Sequence, residues 1–514
     1  MDTLVALTDH LDANSALILV GVAAGSALFF RIFYNLYLHP LSKFPGPWYA
    51  AAFSLSGAII SVLQIEPQWL QGLVKKYGTD RPIRISPTML LFPRPSALKD
   101  IYWDPKLNQK AGLYGTGVLG PPHLFTTLDG DTHKSLRKAL AGPRVPWSMG
   151  GLKNEWEDRI DDQVQLFVRK MRERAESKVD VCLSDKVAEF AADIMTMLSF
   201  TNPWGFVENS RDERNILNSW RKGLDFFGFV GRFRFFRNYV MTIPGFNMWL
   251  LPKTSNESGM GWLMAQADKL VSDREQELSN GIYPDKPDFM QHALDARMDG
   301  QPLNPIQKRA HVTLLIQAGA DTTGTGLGST LRFLATHPDA LKKARKEMDE
   351  ADKAGKLSTP VKYEEVRVHL PYFVACIKEG LRLHPPADNL FARVSCPGGK
   401  EVDGVFVPQG MEITSNAYIV QRDPEMYAPD PNAFRPERWL ESPEKAAVMD
   451  ASSFVFGVGP RVCLGKDIAL MEMYKLIPET IRRFDIKVVR EGRFVVAGGV
   501  AYNRDFTVKL SERH

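Results

Sequence analysis

Cysteine is scarce in this chain: four in 514 residues, at Cys182, Cys376, Cys396 and Cys463, with no CxxC pair among them. That spacing excludes a disulfide framework and a structural zinc site, and it points to a thiol-reducing compartment. Charge of one sign is also missing. With 64 basic and 60 acidic residues the net charge is +4, and no basic run carries interleaved stacking aromatics, so nucleic acid is not the partner. Internal repeats, low-complexity stretches and linkers are absent from the body, and no strand–turn–helix dinucleotide fingerprint occurs; Gly324-x-Gly326 lies in a helical pattern. The glycosylation sequon Asn256-Glu257-Ser258 stays unmodified in a cytosolic domain.

A long apolar run stands at the N-terminus. From Ala13 to Phe30 there is no charged residue, and Arg31 is followed by more apolar and aromatic residues up to Leu38. About 20 apolar residues span a bilayer. The competing reading, a cleaved signal peptide, needs positive charge before its apolar run. Here Asp2, Asp9 and Asp12 precede, and Arg31 and Lys43 follow. The positive-inside bias then makes residues 1–38 an anchor with the bulk of the chain in the cytosol. Prolines 40, 45 and 47 make 39–47 a stiff, extended hinge, and residues 48–514 read as one domain.

That domain is mainly helical with smaller sheets, an α+β fold. Arg81–Leu91 and Glu401–Thr414 carry strand-like runs, while Trp156–Arg174 and Asp185–Leu198 are helical. Asn304 and Pro305 start a helix that Pro338 stops, about 45 Å long at 1.5 Å per residue. Leu370-Pro371 opens another helix that Pro385-Pro386 ends.

The sharpest signal is Phe456-Gly457-Val458-Gly459-Pro460-Arg461-Val462-Cys463-Leu464-Gly465, directly before an apolar-periodic helix. A cysteine at a helix N-terminus is biased toward thiolate by unpaired N–H groups and the helix dipole. Gly459 and Gly465 permit close approach to a flat macrocycle, and Arg461 can reach an anionic group as a charge-assisted pair. A buried structural cysteine in a glycine-rich turn is the plain alternative.

The spacing Phe-x-x-Gly-x-Arg-x-Cys-x-Gly resembles the signature of cytochromes P-450. The likeness runs from about Pro40 to Leu510; its hinge and cysteine loop are similar to fungal microsomal enzymes of secondary metabolism, near pisatin demethylases. The resemblance implies a triangular prism with a long central helix, haem b with Cys463 as axial ligand, and electrons from NADPH through a separate NADPH-cytochrome P-450 reductase. It also implies a lipophilic small-molecule substrate, an endoplasmic reticulum membrane location and oxygen insertion.

By the same resemblance, Glu379-x-x-Arg382 and Arg438, in Pro436-Glu437-Arg438-Trp439, form a buried triad, with Trp439 where the family usually has phenylalanine. Ala318-Gly319-Ala320-Asp321-Thr322-Thr323 is the oxygen-handling segment, expected to distort the long helix, with Asp321 relaying protons and Thr322 hydrogen-bonding oxygen at the iron. Close helix crossing is the alternative for Gly319 and Thr323. Phe456 belongs to the same cofactor loop, and His133, Arg137, Arg393 and Arg461 face the propionates. His384 is structural. Leu107–Phe125, Thr313–Thr322, Ala387–Phe391 and Gly499–Ala501 line the substrate chamber, where Asp388 and Asn389 are either polar anchors or turn residues.

Lys134, Lys138, Lys466 and Lys475 are expected to receive the reductase. The phenylalanines between 226 and 236, interleaved with Arg232, Arg234 and Arg237, form either a second membrane contact or core. Pro478 is expected to kink the helix after the cysteine. On the same fold, an isomerase or peroxygenase needing no reductase, or a haem-binding sensor without turnover, are the competing functions.

Overall fold

The computed structural model describes residues 13–141, 148–246, 250–284, 286 and 288–513. Asp2, Asp9 and Asp12, which carry part of the anchor argument, lie outside the described residues. The principal helices are α1 (Ala13–Phe33), α2 (Leu55–Val62), α3 (Glu66–Tyr77), α4 (Gly130–Leu140), α5 (Glu157–Glu176), α6 (Leu183–Phe200), α7 (Ile216–Arg232), α8 (Gly259–Ser279), α9 (Pro305–Thr336), α10 (Pro338–Lys353), α11 (Pro371–Leu383) and α12 (Lys466–Arg483). The strands used below are β1 (Ile83–Ser86), β2 (Met89–Leu91), β3 (Val181–Cys182), β4 (Arg393–Val394), β5 (Glu412–Thr414), β6 (Phe484–Arg490), β7 (Arg493–Ala497), β8 (Val500–Arg504) and β9 (Thr507–Glu512). One sheet runs β1-β2-β5-β4, antiparallel except for the β2/β5 pair; a second runs β6-β9-β3; β7 and β8 form a hairpin.

The long helix α9 has 32 residues and a complete capping box. Asn304 Oδ1 accepts from the Gln307 N–H at 2.9 Å, Gln307 Oε1 accepts from the Asn304 N–H at 3.2 Å, and Pro305 fills the first turn. Most of α9 is buried, against α6, α11, α12 and β8. Its glycines serve that packing. A Cβ on Gly319 would lie 2.4 Å from Met195 Sδ, and one on Gly324 would lie 2.8 Å from the Ala188 Cα. Gly319 therefore lets α6 and α9 cross closely, as the packing alternative holds. The expected distortion is absent: α9 is helical throughout 318–323.

Helix α1 is exposed, and Leu17–Leu38 is long and apolar enough to cross a membrane. The hinge is not extended. It turns tightly, with the Ser42 N–H donating to the His39 carbonyl at 2.8 Å and the Phe44 N–H to Leu41 at 3.2 Å. Leu41 and Phe44 are buried with Leu90 and Phe92 in a core under the first sheet, and that burial compacts the segment. Pro478 sits inside α12, which continues to Arg483.

The Phe–Arg segment departs from a membrane-facing pattern. Arg232 makes a buried bidentate pair with Glu66, Arg234 bonds Glu412 and Thr88, and Arg237 donates to the Gly231 carbonyl at 2.6 Å. All three arginines point into the body because carboxylates and carbonyls await them there. Phe227 is core, while Phe235 is exposed.

Candidate haem site

The cysteine loop closes on itself through the Cys463 N–H, which donates to the Phe456 carbonyl at 2.8 Å. Gly457 and Gly459 both have positive φ, at 70° and 73°, which a side chain rarely tolerates. Gly459 is also needed by its neighbour: a Cβ there would lie 2.4 Å from the Tyr102 carbonyl. This close chain approach is a packing reason for glycine here. At Gly465 an added Cβ would meet nothing nearer than Cys463 Sγ, at 3.9 Å.

The Cys463 side chain is accessible to a small probe although protein surrounds it. Burial pushes its thiol up, partly offset by the Gly465 N–H and by Arg137 and Lys466. On the otherwise buried middle of α9, Ala318 is exposed and Thr322 half-buried. Thr322 Oγ1 donates to the Ala318 carbonyl at 2.6 Å.

Asp321 points the other way. It is buried and held by Arg221 of α7, whose Nη2 and Nε reach Oδ1 at 2.7 and 3.0 Å. Arg221 also pairs with Asp185 at 3.4 Å and stacks over the Tyr502 ring at 5.1 Å.

Near Cys463 a cluster of cations gathers: His133 and Arg137 of α4, Arg393 of β4, Arg461, and Lys110, whose backbone bridges to Arg393. Burial first, then the neighbouring cations, push His133 down to about 2, Lys110 well below the ordinary lysine value and Arg461 down to about 10. Lys110 is held by the Leu124 and Phe125 carbonyls at 3.0 and 2.6 Å. Arg393 donates to the Phe391 carbonyl at 3.0 Å and stacks on Tyr102, and Arg461 Nη2 donates to Asn108.

Among the described residues no Asp or Glu forms a salt bridge with any of these five, and Arg461 Nη1 is buried with no hydrogen-bond partner. Asp129 acts on Arg461 at longer range, but the cations outnumber it, and such a cluster is costly on its own and fits a ligand that carries two carboxylates. The cluster therefore fits the haem propionates. Lys110 escaped the sequence reading because its partners come from segments far apart in sequence, and no motif marks it.

The four chamber segments converge. The Leu124 N–H donates to His311 Nε2 of α9 at 3.1 Å, Ala111 to the Ala392 carbonyl at 3.1 Å, Asp388 to Gly499 at 2.9 Å, and Thr325 Oγ1 of α9 to the Ala501 carbonyl at 2.7 Å. Asp388 is fully enclosed: Oδ1 accepts from the Tyr418 N–H at 3.0 Å, and burial pushes its carboxyl up to about 7. Asn389 Oδ1 accepts from the adjacent Leu390 N–H at 2.8 Å. Asn389 satisfies a local turn, whereas Asp388 holds a distant segment and keeps Oδ2 buried without a partner. His384 stacks on Phe494 at 4.3 Å and meets Ser329 Oγ at 3.2 Å.

Lys134, Lys138 and Lys466 are exposed, but Lys475 is fully buried, paired with Glu157 at 2.8 Å and Asp161 at 2.6 Å. It cannot meet a partner; the inward face of α12 places it in the core.

Beneath the cysteine loop, Glu379, Arg382 and Arg438 are bonded in one buried cluster. Arg382 Nε and Nη2 donate to Glu379 at 2.8 Å each, and Arg438 Nε at 3.0 Å. Trp439 adds its indole N–H at 2.9 Å, a contact phenylalanine cannot make. Trp439→Phe is expected to lower stability by about 1–2 kcal/mol, because Glu379 Oε2 keeps Arg382 but loses one charged hydrogen bond. The denaturant midpoint at unchanged slope measures it.

A cytochrome P450 family profile matches residues 105–495. Similar chains include the cytochrome P450 monooxygenase gsfF of Penicillium aethiopicum, 30% identical over 92% of this chain and 93% of its own. Quiannulatic acid synthase of Emericella variicolor is 29% identical over 86% and 87%, and the cytochrome P450 monooxygenase aba1 of Botryotinia fuckeliana is 28% identical over 92% of each. With the cysteine loop, the cation cluster and the buried triad in place, the chain belongs to the cytochrome P450 family and is an oxidoreductase of its haem-dependent monooxygenase kind.

Proposed function

We propose that the chain is a single-pass endoplasmic reticulum protein with its body in the cytosol, acting on a lipophilic intermediate of fungal secondary metabolism. It takes two electrons from NADPH through a separate flavoprotein reductase and places one atom of O2 into that substrate. The long α9 is then the central helix of a triangular prism. The observation that carries the reading is the accessible Cys463 thiol just before α12, beside a cluster of cations that reaches it through Arg137.

In this reading Cys463 would ligate the haem iron, with Phe456, Gly459 and Gly465 shaping its loop, and His133, Arg137, Arg393, Arg461 and Lys110 would hold the propionates. When bound, the haem supplies O2 activation, to which the cysteine sulfur contributes electron density. The chain's own residues do the rest. The converging chamber segments position an apolar substrate and exclude water. Thr322 Oγ1 can donate its proton once it turns from the Ala318 carbonyl. Asp321, freed when Arg221 loosens its bidentate hold, would take a proton from solvent water and return it to the Thr322 oxygen. Glu379, Arg382 and Arg438 hold the loop from below. Lys134, Lys138 and Lys466 receive the acidic reductase, so that half-reaction weakens with salt.

Reconstitution with reductase in vesicles tests the proposal. The expected result is NADPH-dependent formation of a product 16 mass units heavier than a lipophilic substrate, with Asp321→Asn slowing product formation about 100-fold while NADPH oxidation falls much less. Product formed equally well without reductase or O2 would overturn it in favour of an isomerase or peroxygenase.

A further inference from the structure

Three arginines stand at and just beyond the end of α7, and two of them are matched by carboxylates. Arg232 is held by Glu66 at 2.6 Å and Arg234 by Glu412 at 3.1 Å. Arg237, in a π turn at Phe236–Val240, is 9% exposed, yet no carboxylate among the described residues forms a salt bridge with it. Its Nη1 donates to the Gly231 carbonyl at 2.6 Å and its Nε to Asn238 Oδ1 at 3.2 Å. Nη2 makes no hydrogen bond among the described residues, and unlike the sealed Nη1 of Arg232 and of Arg461 it stays open to a small probe. Glu412 acts on Arg237 only at longer range and is already taken by Arg234 and Thr88. Burial pushes the Arg237 guanidinium down, Glu412 partly offsets this, and Arg234 adds to it. A buried cation without an anion is costly on its own, and an arriving anion relieves that cost.

The guanidinium lies flat on the segment expected to line the substrate chamber. A Cβ on Gly112 would lie 3.2, 3.3 and 3.4 Å from Nη2, Cζ and Nε of Arg237, so only glycine lets the planar group rest there undisturbed. Gly112 opens a 3-10 turn, Gly112–Tyr114, inside Leu107–Phe125. The end of α7 packs on the same turn: a Cβ on Gly231 would lie 3.4 Å from the Leu113 carbonyl. The far end of the turn belongs to the cations near Cys463. Lys110 lies over the Tyr114 ring at 5.2 Å, and Arg393 acts on its hydroxyl. Arg237 is thus one short turn from that cluster and separate from it. Its chain neighbours are apolar, the Phe236 ring stacking on Phe233 at 6.3 Å and meeting Phe229 at 5.2 Å.

We infer that the substrate is a lipophilic carboxylic acid and that Arg237 binds its carboxylate while the apolar remainder lies along the chamber segments. The inference deepens the proposed function and rests on the reading of those segments as a substrate site. Nη2 shares one edge of the guanidinium with Nε and another with Nη1, so a carboxylate at Nη2 finds a second N–H alongside, at the spacing of its two oxygens. One cation in an apolar surround balances a single negative charge. A phosphate, carrying nearly two, would stay undercompensated. An alcohol or ester of the same skeleton brings no charge and leaves the guanidinium as it was, so the acid gains about tenfold in affinity over its own alcohol.

The test uses full-length haem-loaded protein and reads the ligand-induced shift of the Soret band during titration. The probes are straight-chain and cyclic carboxylic acids, each beside its own alcohol and its own phosphate monoester. In wild type at least one acid is expected to bind about tenfold more tightly than its alcohol. Arg237→Gln is expected to remove that preference and leave the alcohol's affinity in place. Arg237→Lys keeps part of it, because an ammonium retains the charge and loses the fork. Gly112→Val, which displaces the guanidinium without removing it, is expected to weaken the acid alone. No acid binding more tightly than its own alcohol overturns the inference, as does a preference that survives Arg237→Gln. A phosphate ester that outbinds the acid through Arg237 overturns the carboxylate in favour of phosphate, and loss of haem in Arg237→Gln assigns the residue to the propionates instead. Failure of the proposed function is separate: the reduced, carbon monoxide-bound wild type would lack its red-shifted Soret band before any acid is added.

Discussion

Cys463→Ser is expected to abolish the strongly red-shifted Soret band of the dithionite-reduced, carbon monoxide-bound protein and to reduce turnover to background. The geometry makes this a clean change. The Cys463 N–H keeps its bond to Phe456 at 2.8 Å whatever the side chain, and Gly457 and Gly459 carry the turn. The loop therefore persists, and the cation cluster that fits the propionates is untouched. What goes is the sulfur: a serine hydroxyl, far less acidic than a thiol, does not supply an anionic ligand near neutral pH. The remaining cysteines serve as internal controls. Cys376 is buried in the core, and Cys396 bonds the Gly399 carbonyl at 3.2 Å, so serine at either leaves the band in place. A red-shifted band retained in Cys463→Ser would remove the axial ligand and, with it, the roles assigned around it.

Local pattern decided how much could be read in advance. The capping residues Asn304 and Pro305 and the stop at Pro338 bound α9 within a residue, because caps act over one turn. The cysteine loop was legible because its glycines and its metal-ligating sulfur are contiguous. Contacts across the fold were not. Asp321 and Arg221 are 100 residues apart, and Lys110 meets Arg393 only because a two-residue bridge brings them together. Lys475 looks like a surface lysine until the buried Glu157 and Asp161 of α5 are set against it. The Phe–Arg alternation suits a membrane edge by composition, yet buried carboxylates and carbonyls elsewhere in the chain turn its arginines inward. Side-chain direction at such positions is set by tertiary partners, which a single sequence does not display.

Glu379→Gln is expected to cost about 3–5 kcal/mol and to prevent stable haem loading. Glu379 is fully buried, and its two oxygens accept from Arg382 Nε and Nη2, Arg438 Nε, the Arg435 N–H and Trp439 Nε1 at 2.8 to 3.0 Å. An amide at that position turns an –NH2 toward these donors and leaves two guanidinium groups uncompensated.

The damage reaches the sulfur along a bonded path. Arg382 Nη1 donates to the Gln421 carbonyl at 2.7 Å, and Gln421 Oε1 accepts from the Phe454 N–H at 3.3 Å, two residues before the loop begins. Burial pushes the Glu379 carboxyl up, but Arg382 and Arg438 outweigh it and hold it below the usual glutamate range. A depressed folded value means the contribution is present above the ordinary pKa of about 4.3 and is lost as pH falls through the lower folded value. Wild type should therefore lose haem on acidification into that window, whereas any residual Glu379→Gln holoprotein should lose it with no added dependence there. Haem retained per chain after gel filtration, measured across pH, separates the outcomes: full retention in the Gln variant at neutral pH would show that Arg382 and Arg438 hold the loop without the carboxylate.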